Sequence, residues 1–236
     1  MTFDRLIRKI VETKNPTVVG LDPKLEYIPE ELKAEAYAKY GKTLEGAAEA
    51  ILSFNKGIID AICDVVPAVK PQCAFYERFG WQGMKALAET IAYAKEKGMG
   101  VIPMLNTPGH MDAILAAATS LTGTNCSYDG SVRTIDVTNN TAVTFTQELL
   151  KKYVAYFAGK GCKYFNMGAD EYANDRYTRG SMGFGNLQSE GKYSYYVTYV
   201  NDVAAMIKNA GMTPMAFNDG IYFNNNTYSG TFDTDI

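Results

Sequence analysis

Short apolar runs alternate along this chain with longer stretches whose apolar residues recur every three or four positions. The short runs are Thr17-Val18-Val19-Gly20-Leu21, Val65-Val66-Pro67-Ala68-Val69, Gly100-Val101-Ile102-Pro103-Met104-Leu105, Lys163-Tyr164-Phe165-Asn166-Met167 and Thr213-Pro214-Met215-Ala216-Phe217. Their length and their Gly and Pro boundaries predict strands. Residues 43–63 place Leu44, Ala47, Ala48, Ile51, Phe54, Ile58 and Ile62 on one stripe, the period of a half-buried helix. Residues 81–97, 141–158 and 193–210 read the same way. Gly98, Gly161 and Gly211 follow three of these helices, where a left-handed residue ends a helix and releases the chain into the next strand. The first ten residues begin an amphipathic helix. Residues 120–140 and 174–192 are polar and predict loops, and the Asn/Thr/Asp-rich tail 223–236 is expected to fray.

Strand, helix, strand in repetition predicts a parallel sheet with right-handed crossovers. The fold expected is α/β: a partial (β/α) barrel of the TIM type, with about five parallel strands, flanking helices, and a C-terminal end short of the full eight. In such folds chemistry sits just after each strand, so those residues are the ones to read. An open sheet also leaves unpaired edges that invite a second copy of the chain.

Composition divides this picture. Residues 1–100 hold 10 Glu, 2 Asn and 5 Tyr, whereas residues 101–236 hold 3 Glu, 13 Asn and 12 Tyr. A single domain normally draws on one composition, so the change near residue 100 implies two segments, 1–99 and 100–236. The formal charge of −3 argues against nucleic acid, which requires a basic face. No apolar run approaches a membrane span, and the start lacks the features of a signal peptide. Cys63, Cys73, Cys126 and Cys162 form no C-x-x-C pair. With one His in the chain they read as reduced thiols of a cytoplasmic protein rather than a metal site. No cofactor is called for.

In the first segment, Gly20-Leu21-Asp22-Pro23 follows one strand and Lys70-Pro71-Gln72 another. An acid and a lysine at neighbouring strand ends can form a buried charged pair suited to proton transfer. Thr17 to Pro23, Phe54-Asn55-Lys56-Gly57-Ile58-Ile59-Asp60 and Val69 to Glu77 together resemble the orotidine 5′-phosphate decarboxylases, over roughly residues 1–99. That resemblance implies that Asp22 contacts a nucleotide ribose and that Lys70 belongs to a charged network at the reacting carbon. The decisive Asp-x-Lys-x-x-Asp motif of that family occurs nowhere in the chain, so decarboxylation to UMP is the disfavoured reading.

From residue 100 the chain resembles another family, the β-N-acetylhexosaminidases of glycoside hydrolase family 20. The carrying residues are Val101 to Asp112, Phe165-Asn166-Met167-Gly168-Ala169-Asp170-Glu171-Tyr172, and Pro214 to Gly220. The resemblance implies a substrate-assisted reaction, an exception to the usual two-carboxylate scheme. Glu171 would be the general acid, Asp170 would orient the 2-acetamido group, and His110 would tune the acid. Asp219 would bind the sugar. Taken singly, Asp170-Glu171 could be a solvated turn, His110 a helix cap and Asp219 a turn residue. Their order at successive strand ends favours the family reading. Successive strand residues point to opposite faces, so the two carboxylates can face one sugar only where the strand ends, and Gly168 permits that turn. Met104 stands where the family usually has Glu, and Phe217 where many members have Trp.

The expectation is a hybrid barrel fragment with catalytic Glu171 and Asp170, and with His110, Asp219, Asp22 and Lys70 as binding residues. Its partner is a small-molecule or glycan substrate bearing N-acetylhexosamine, and its activity is expected to be weak or absent. The alternative is a non-catalytic chimeric chain or an assembly artefact.

Overall fold

The computed structural model describes residues 3–99, 102–177, 182–218, 220–221, 231–233 and 235–236. Asp219 lies outside them. The chain forms two compact units, Met1–Val101 and Ile102–Ile236.

The first unit runs α1 (Phe3–Thr13), β1 (Val18–Leu21), a 3-10 turn (Leu25–Tyr27), α2 (Glu30–Tyr40), α3 (Leu44–Ile62), β2 (Ala68–Pro71), α4 (Ala74–Glu77) and α5 (Gly80–Glu96). β1 and β2 pair in parallel, Val18 opposite Ala68 and Leu21 opposite Pro71. β2 therefore begins three residues later than the apolar run Val65–Val69 predicts. Pro67 has no N–H to give a ladder, so pairing starts at Ala68, and Val65 is left half exposed. Thr43 caps α3, its side chain accepting from the Gly46 N–H.

The face α3 buries is not quite the predicted stripe. Ala47, Ala48 and Ile51 are buried, but Leu44 is 50 % exposed, while Leu52, Asn55 and Ile59 lie inside. Two elements cover this helix, α2 and α5, and together they widen its buried face. Fully burying a side chain such as Ile51 or Ile59 contributes about 1.5–3 kcal/mol. The buried amide of Asn55 donates to Tyr76 Oη (2.9 Å) and Thr90 Oγ1 (3.2 Å), and Tyr76 donates on to the Leu21 carbonyl at the end of β1.

The second unit runs β3 (Met104–Thr107), α6 (Asp112–Thr122), α7 (Asn140–Gly159), β4 (Tyr164–Gly168), α8 (Met182–Ser189), α9 (Tyr193–Asn209) and β5 (Thr213–Met215). Its strands make a parallel sheet in the order β3-β4-β5. Of the apolar run Gly100–Leu105, Gly100 and Val101 lie outside the described residues, and β3 begins past Ile102 and Pro103, because Pro103 cannot donate. Its carbonyl instead accepts from the Asn166 N–H. Among the described residues the strands form two small parallel sheets, not the single five-stranded sheet expected, since each ladder pairs strands of one unit.

Four helices end in the same way. After α5, Gly98 N–H bonds to Lys95 O and Met99 N–H to Ala94 O; Gly161 and Gly211 repeat the pattern after α7 and α9. All three glycines have φ between 75° and 84°, and together with these paired bonds they make Schellman caps. The fourth, at Gly191 (φ 67°), closes α8, a helix inside the segment 174–192 expected to be a loop. Phe184 and Leu187 give α8 its buried face.

The tail expected to fray is docked where it is described. Phe232 packs edge-on against Tyr196, and Lys208 Nζ lies 2.6 Å from Asp233. The excess of tyrosine in this unit has a structural use. Tyr172, Tyr193, Tyr196 and Tyr199 are buried, and their hydroxyls reach polar groups. Tyr199 meets Thr107 at the end of β3, and Tyr196 donates to the Ala169 carbonyl just past β4 (2.5 Å). A buried tyrosine needs such a partner for its hydroxyl. Here the requirement ties the core to the carboxyl ends of the strands.

Candidate active site

β4 stops at Gly168, and the chain turns sharply. Gly168 (φ 76°), Ala169 (59°), Glu171 (46°) and Ala173 (52°) all have positive φ. For a non-glycine residue this conformation costs on the order of 1–2 kcal/mol and persists only when the surroundings hold it. They do so with hydrogen bonds. Ala169 N–H bonds to Thr107 O (3.1 Å), Ala173 N–H to Thr134 Oγ1 (3.0 Å), and Gly183 N–H to Tyr172 O (2.6 Å). Tyr172 is fully buried, its hydroxyl donating to Ile135 O (3.1 Å) and accepting from Val137 N–H (3.3 Å). The turn puts the neighbouring carboxylates Asp170 and Glu171 beside one partner.

That partner is His110, on the loop after β3, itself at φ 53°. His110 Nε2 lies 3.1 Å from Glu171 Oε2 and 3.8 Å from Asp170 Oδ2. The imidazole and Asp170 are about a quarter exposed and the Glu171 side chain 43 % exposed, so the group borders solvent without being loose in it. Asp170, Glu171 and His110, read from the sequence as one group, are thus brought together.

Asp22 stands just past β1 in the first unit, as its sequence context suggested, whereas Lys70 lies inside β2, paired opposite Gly20, rather than after the strand. The expected buried charged pair is not there: both side chains are exposed, and no ion pair joins them among the described residues. With water at hand, nothing forces the two charges together.

Several residues near the carboxylates escaped sequence reasoning. Asn174 Nδ2 donates to Glu171 Oε2 at 2.6 Å, and Arg133 Nη1 donates to Asn174 Oδ1 at 3.4 Å. Arg133 also approaches Asp112 Oδ1 (3.7 Å), and its carbonyl accepts from Met111 N–H (2.8 Å). Asp175 accepts from Ser131 Oγ (2.7 Å) and from Val132 N–H (2.8 Å). Burial works to raise the Asp175 pKa, but these donors and the nearby Arg133 outweigh it and hold the carboxyl below its ordinary value. The polar stretch 120–140 is thus more than a connection, because its residues 131–137 brace the carboxylate turn. Asn174 and Asp175 could have been suspected from the polar run Asp170 to Arg176. Arg133 had no such signal.

Among the described residues, no group of three or more His, Cys, Asp and Glu side chains is placed to hold a metal ion. What the arrangement offers is acid–base chemistry: a carboxyl group within reach of an imidazole, and a second carboxylate next to it at the carboxyl ends of parallel strands.

Parallel α/β architecture with paired acids at strand ends is common to many hydrolytic enzymes. The sequence model for the catalytic domain of glycosyl hydrolase family 20 matches residues 45–232, and the chain belongs to that family. Two structures of the pneumococcal exo-β-D-N-acetylglucosaminidase StrH resemble it. Each is 42% identical and covers 64% of this chain and 37% of that one; the TM-scores are 0.56 and 0.57. The chain is also similar to orotidine 5′-phosphate decarboxylases. That of Rhodopirellula baltica is 40% identical over 121 residues, 51% of this chain and 38% of the relative. That of Clostridium perfringens is 38% identical over 102 residues, 43% of this chain and 32% of the relative. The chain therefore spans well under half the length of these relatives. It joins resemblances to two families, and the glycosidase match begins ahead of the composition change near residue 100.

Proposed function

We propose that the second unit carries a hexosaminidase-like site for substrate-assisted hydrolysis of terminal N-acetylhexosamine glycosides, with weak activity. One observation carries this reading: His110 Nε2 lies 3.1 Å from Glu171 and 3.8 Å from Asp170 at the carboxyl end of β4. Glu171 acts as general acid, giving its proton to the glycosidic oxygen as the bond to the anomeric carbon breaks. The carbonyl oxygen of the substrate's 2-acetamido group forms the new bond to that carbon. Asp170 accepts the acetamido N–H and offsets the positive charge that develops there. Water then opens the cyclic intermediate, returning a proton to Glu171 and a hydroxyl to the sugar. His110 orients Glu171. Asp219 belongs to the same reading as a sugar-binding residue.

The fold reading that goes with this is a partial (β/α) barrel. Residues 1–99 would be of decarboxylase type and 100–236 of hexosaminidase type. Glu171→Gln tests the function on a chromogenic N-acetylglucosaminide. Turnover above background that disappears in the variant supports it; no turnover by well-folded protein sinks it.

A second reading is a non-catalytic chimeric chain. It is favoured by the 51% of the chain similar to a decarboxylase, combined with the exposed, unjoined Asp22 and Lys70.

A further inference from the structure

We propose that Asn174 is a positioning residue for Glu171, and that Arg133 holds the Asn174 amide in the sense that makes this possible. The inference rests on the reading of Glu171 as the working acid and extends it to residues outside the family motif.

A glutamate that is 43 % exposed normally moves among rotamers, and fixing it costs up to about 2 kcal/mol of side-chain entropy. Among the described residues two side chains oppose that freedom, and both meet the same oxygen. His110 Nε2 is 3.1 Å from Oε2, and Asn174 Nδ2 is 2.6 Å from it. At 2.6 Å the bond from Asn174 is short for an N–H···O hydrogen bond. Asn174 itself is anchored three residues on from Glu171, its N–H bonding to the Glu171 carbonyl at 3.1 Å. Backbone and side chain of Asn174 thus grip one residue at two points.

An asparagine amide has two ends, and only one of them can hold a carboxylate. Arg133 decides which. A guanidinium has no acceptor, so Nη1 must donate, and the atom facing it must be Asn174 Oδ1. That leaves Nδ2 toward Glu171, whose Oε2 accepts from it. The reverse amide would set oxygen against carboxylate and N–H against guanidinium. Arg133 is in turn located by Asp112 at the start of α6 and by the Met111 N–H on its carbonyl. Among the described residues, the charged and titratable groups joined to the carboxyl directly or through Asn174 and Arg133 are His110, Asp170, Arg133, Asp112 and Asp175, from the loops after β3 and β4, the stretch before α7 and the first turn of α6.

The chain holds one histidine, so the His110 imidazole signals in a proton NMR spectrum identify themselves. Full-length Asn174→Ala, Glu171→Gln and the double variant are compared with the parent. Glu171→Gln is expected to displace the imidazole signals, because it changes the group at 3.1 Å. Asn174→Ala is expected to displace them too, and the double variant to match Glu171→Gln alone. Arg133→Gln should show part of the Asn174→Ala displacement. Asn174→Asp keeps the shape but turns donor into acceptor, so it serves if the alanine variant does not fold, and it should displace the signals at least as far. Where the parent turns over substrate, Asn174→Ala should lower kcat about 100-fold with little change in KM.

Imidazole signals that stay at parent positions in both Asn174 variants, while Glu171→Gln moves them, overturn the proposal. So does full addition of the two displacements in the double variant, since Asn174 would then act on His110 without Glu171. The spectra need no turnover. An inactive chain with the expected spectra removes the hydrolase reading and leaves the positioning role intact.

Discussion

Gly109 faces the backbone of Asp170 so closely that a Cβ at position 109 would stand 2.9 Å from the Asp170 carbonyl oxygen. The loop bearing His110 and the turn bearing the carboxylates touch here backbone to backbone. Neither can yield as a flexible side chain would. Gly109→Ala is expected to push the two apart, costing on the order of 1–3 kcal/mol of stability. The His110–Glu171 contact should loosen as well. Urea unfolding and the imidazole NMR signals measure the two effects. Parent-like stability together with unmoved imidazole signals would contradict the steric account.

Tyr172 follows the acid directly and is buried, with its hydroxyl between Ile135 O and Val137 N–H. Tyr172→Phe preserves the ring packing against Phe184 and Tyr196 and removes only that bridge. The expected loss is about 1–3 kcal/mol, the usual cost of stranding buried polar groups. Chemical denaturation of the variant gives the number, and a change below experimental error would show that the bridge contributes little.

Asp175 should make the brace over the carboxylate turn sensitive to acid. Its pKa is lowered in the folded chain, so the unfolded chain binds its proton first as pH falls. The stability it contributes is full above the unfolded value, about 3.9, and is lost as pH drops through the lower folded value. Asp175→Asn should therefore be less stable than the parent at neutral pH, with the gap closing in acid. The measurement is stability against pH for both proteins. A gap that grows toward low pH would reverse the sign and refute the assignment.

Asn55 organises the first unit. Its amide serves Tyr76 and Thr90, and Tyr76 passes the link to Leu21 at the end of β1. Asn55→Leu is close in size but leaves two buried hydroxyls without their donor. It should cost about 1–3 kcal/mol, and adding Tyr76→Phe should cost less than the sum of the single changes, because the pair share one network. Strict additivity would show that the two act separately.

Much of the secondary structure was legible because its signals are local. Apolar periodicity placed the helices at 81–97, 141–158 and 193–210, within a residue or so of α5, α7 and α9. Gly98, Gly161 and Gly211 marked their ends because a Schellman cap needs a residue at ease with positive φ. Gly191 carried the same mark for α8, but the short, glycine-broken pattern around it hid the helix. The run at Val65 announced a strand too early, and Ile102 and Pro103 likewise precede β3, since apolar character says nothing about ladder pairing and Pro67 and Pro103 interrupt it.

The sequence by itself determined the parallel α/β plan, the change of composition near residue 100, and the presence of Asp170, Glu171 and His110 just beyond strand ends. These follow from periodicity, composition and motif, which are properties of neighbours along the chain. Tertiary structure decided what meets what. It brought His110, Asn174 and Glu171 together and braced their turn with Arg133 and the loop near residue 131, partners separated by 23 to 61 positions in the case of His110 and Glu171 with Arg133 between them. It also left Asp22, just past β1, and Lys70, inside β2, both exposed. Hydrogen bonds and burial between distant segments depend on how helices and strands pack, and no local pattern records that packing.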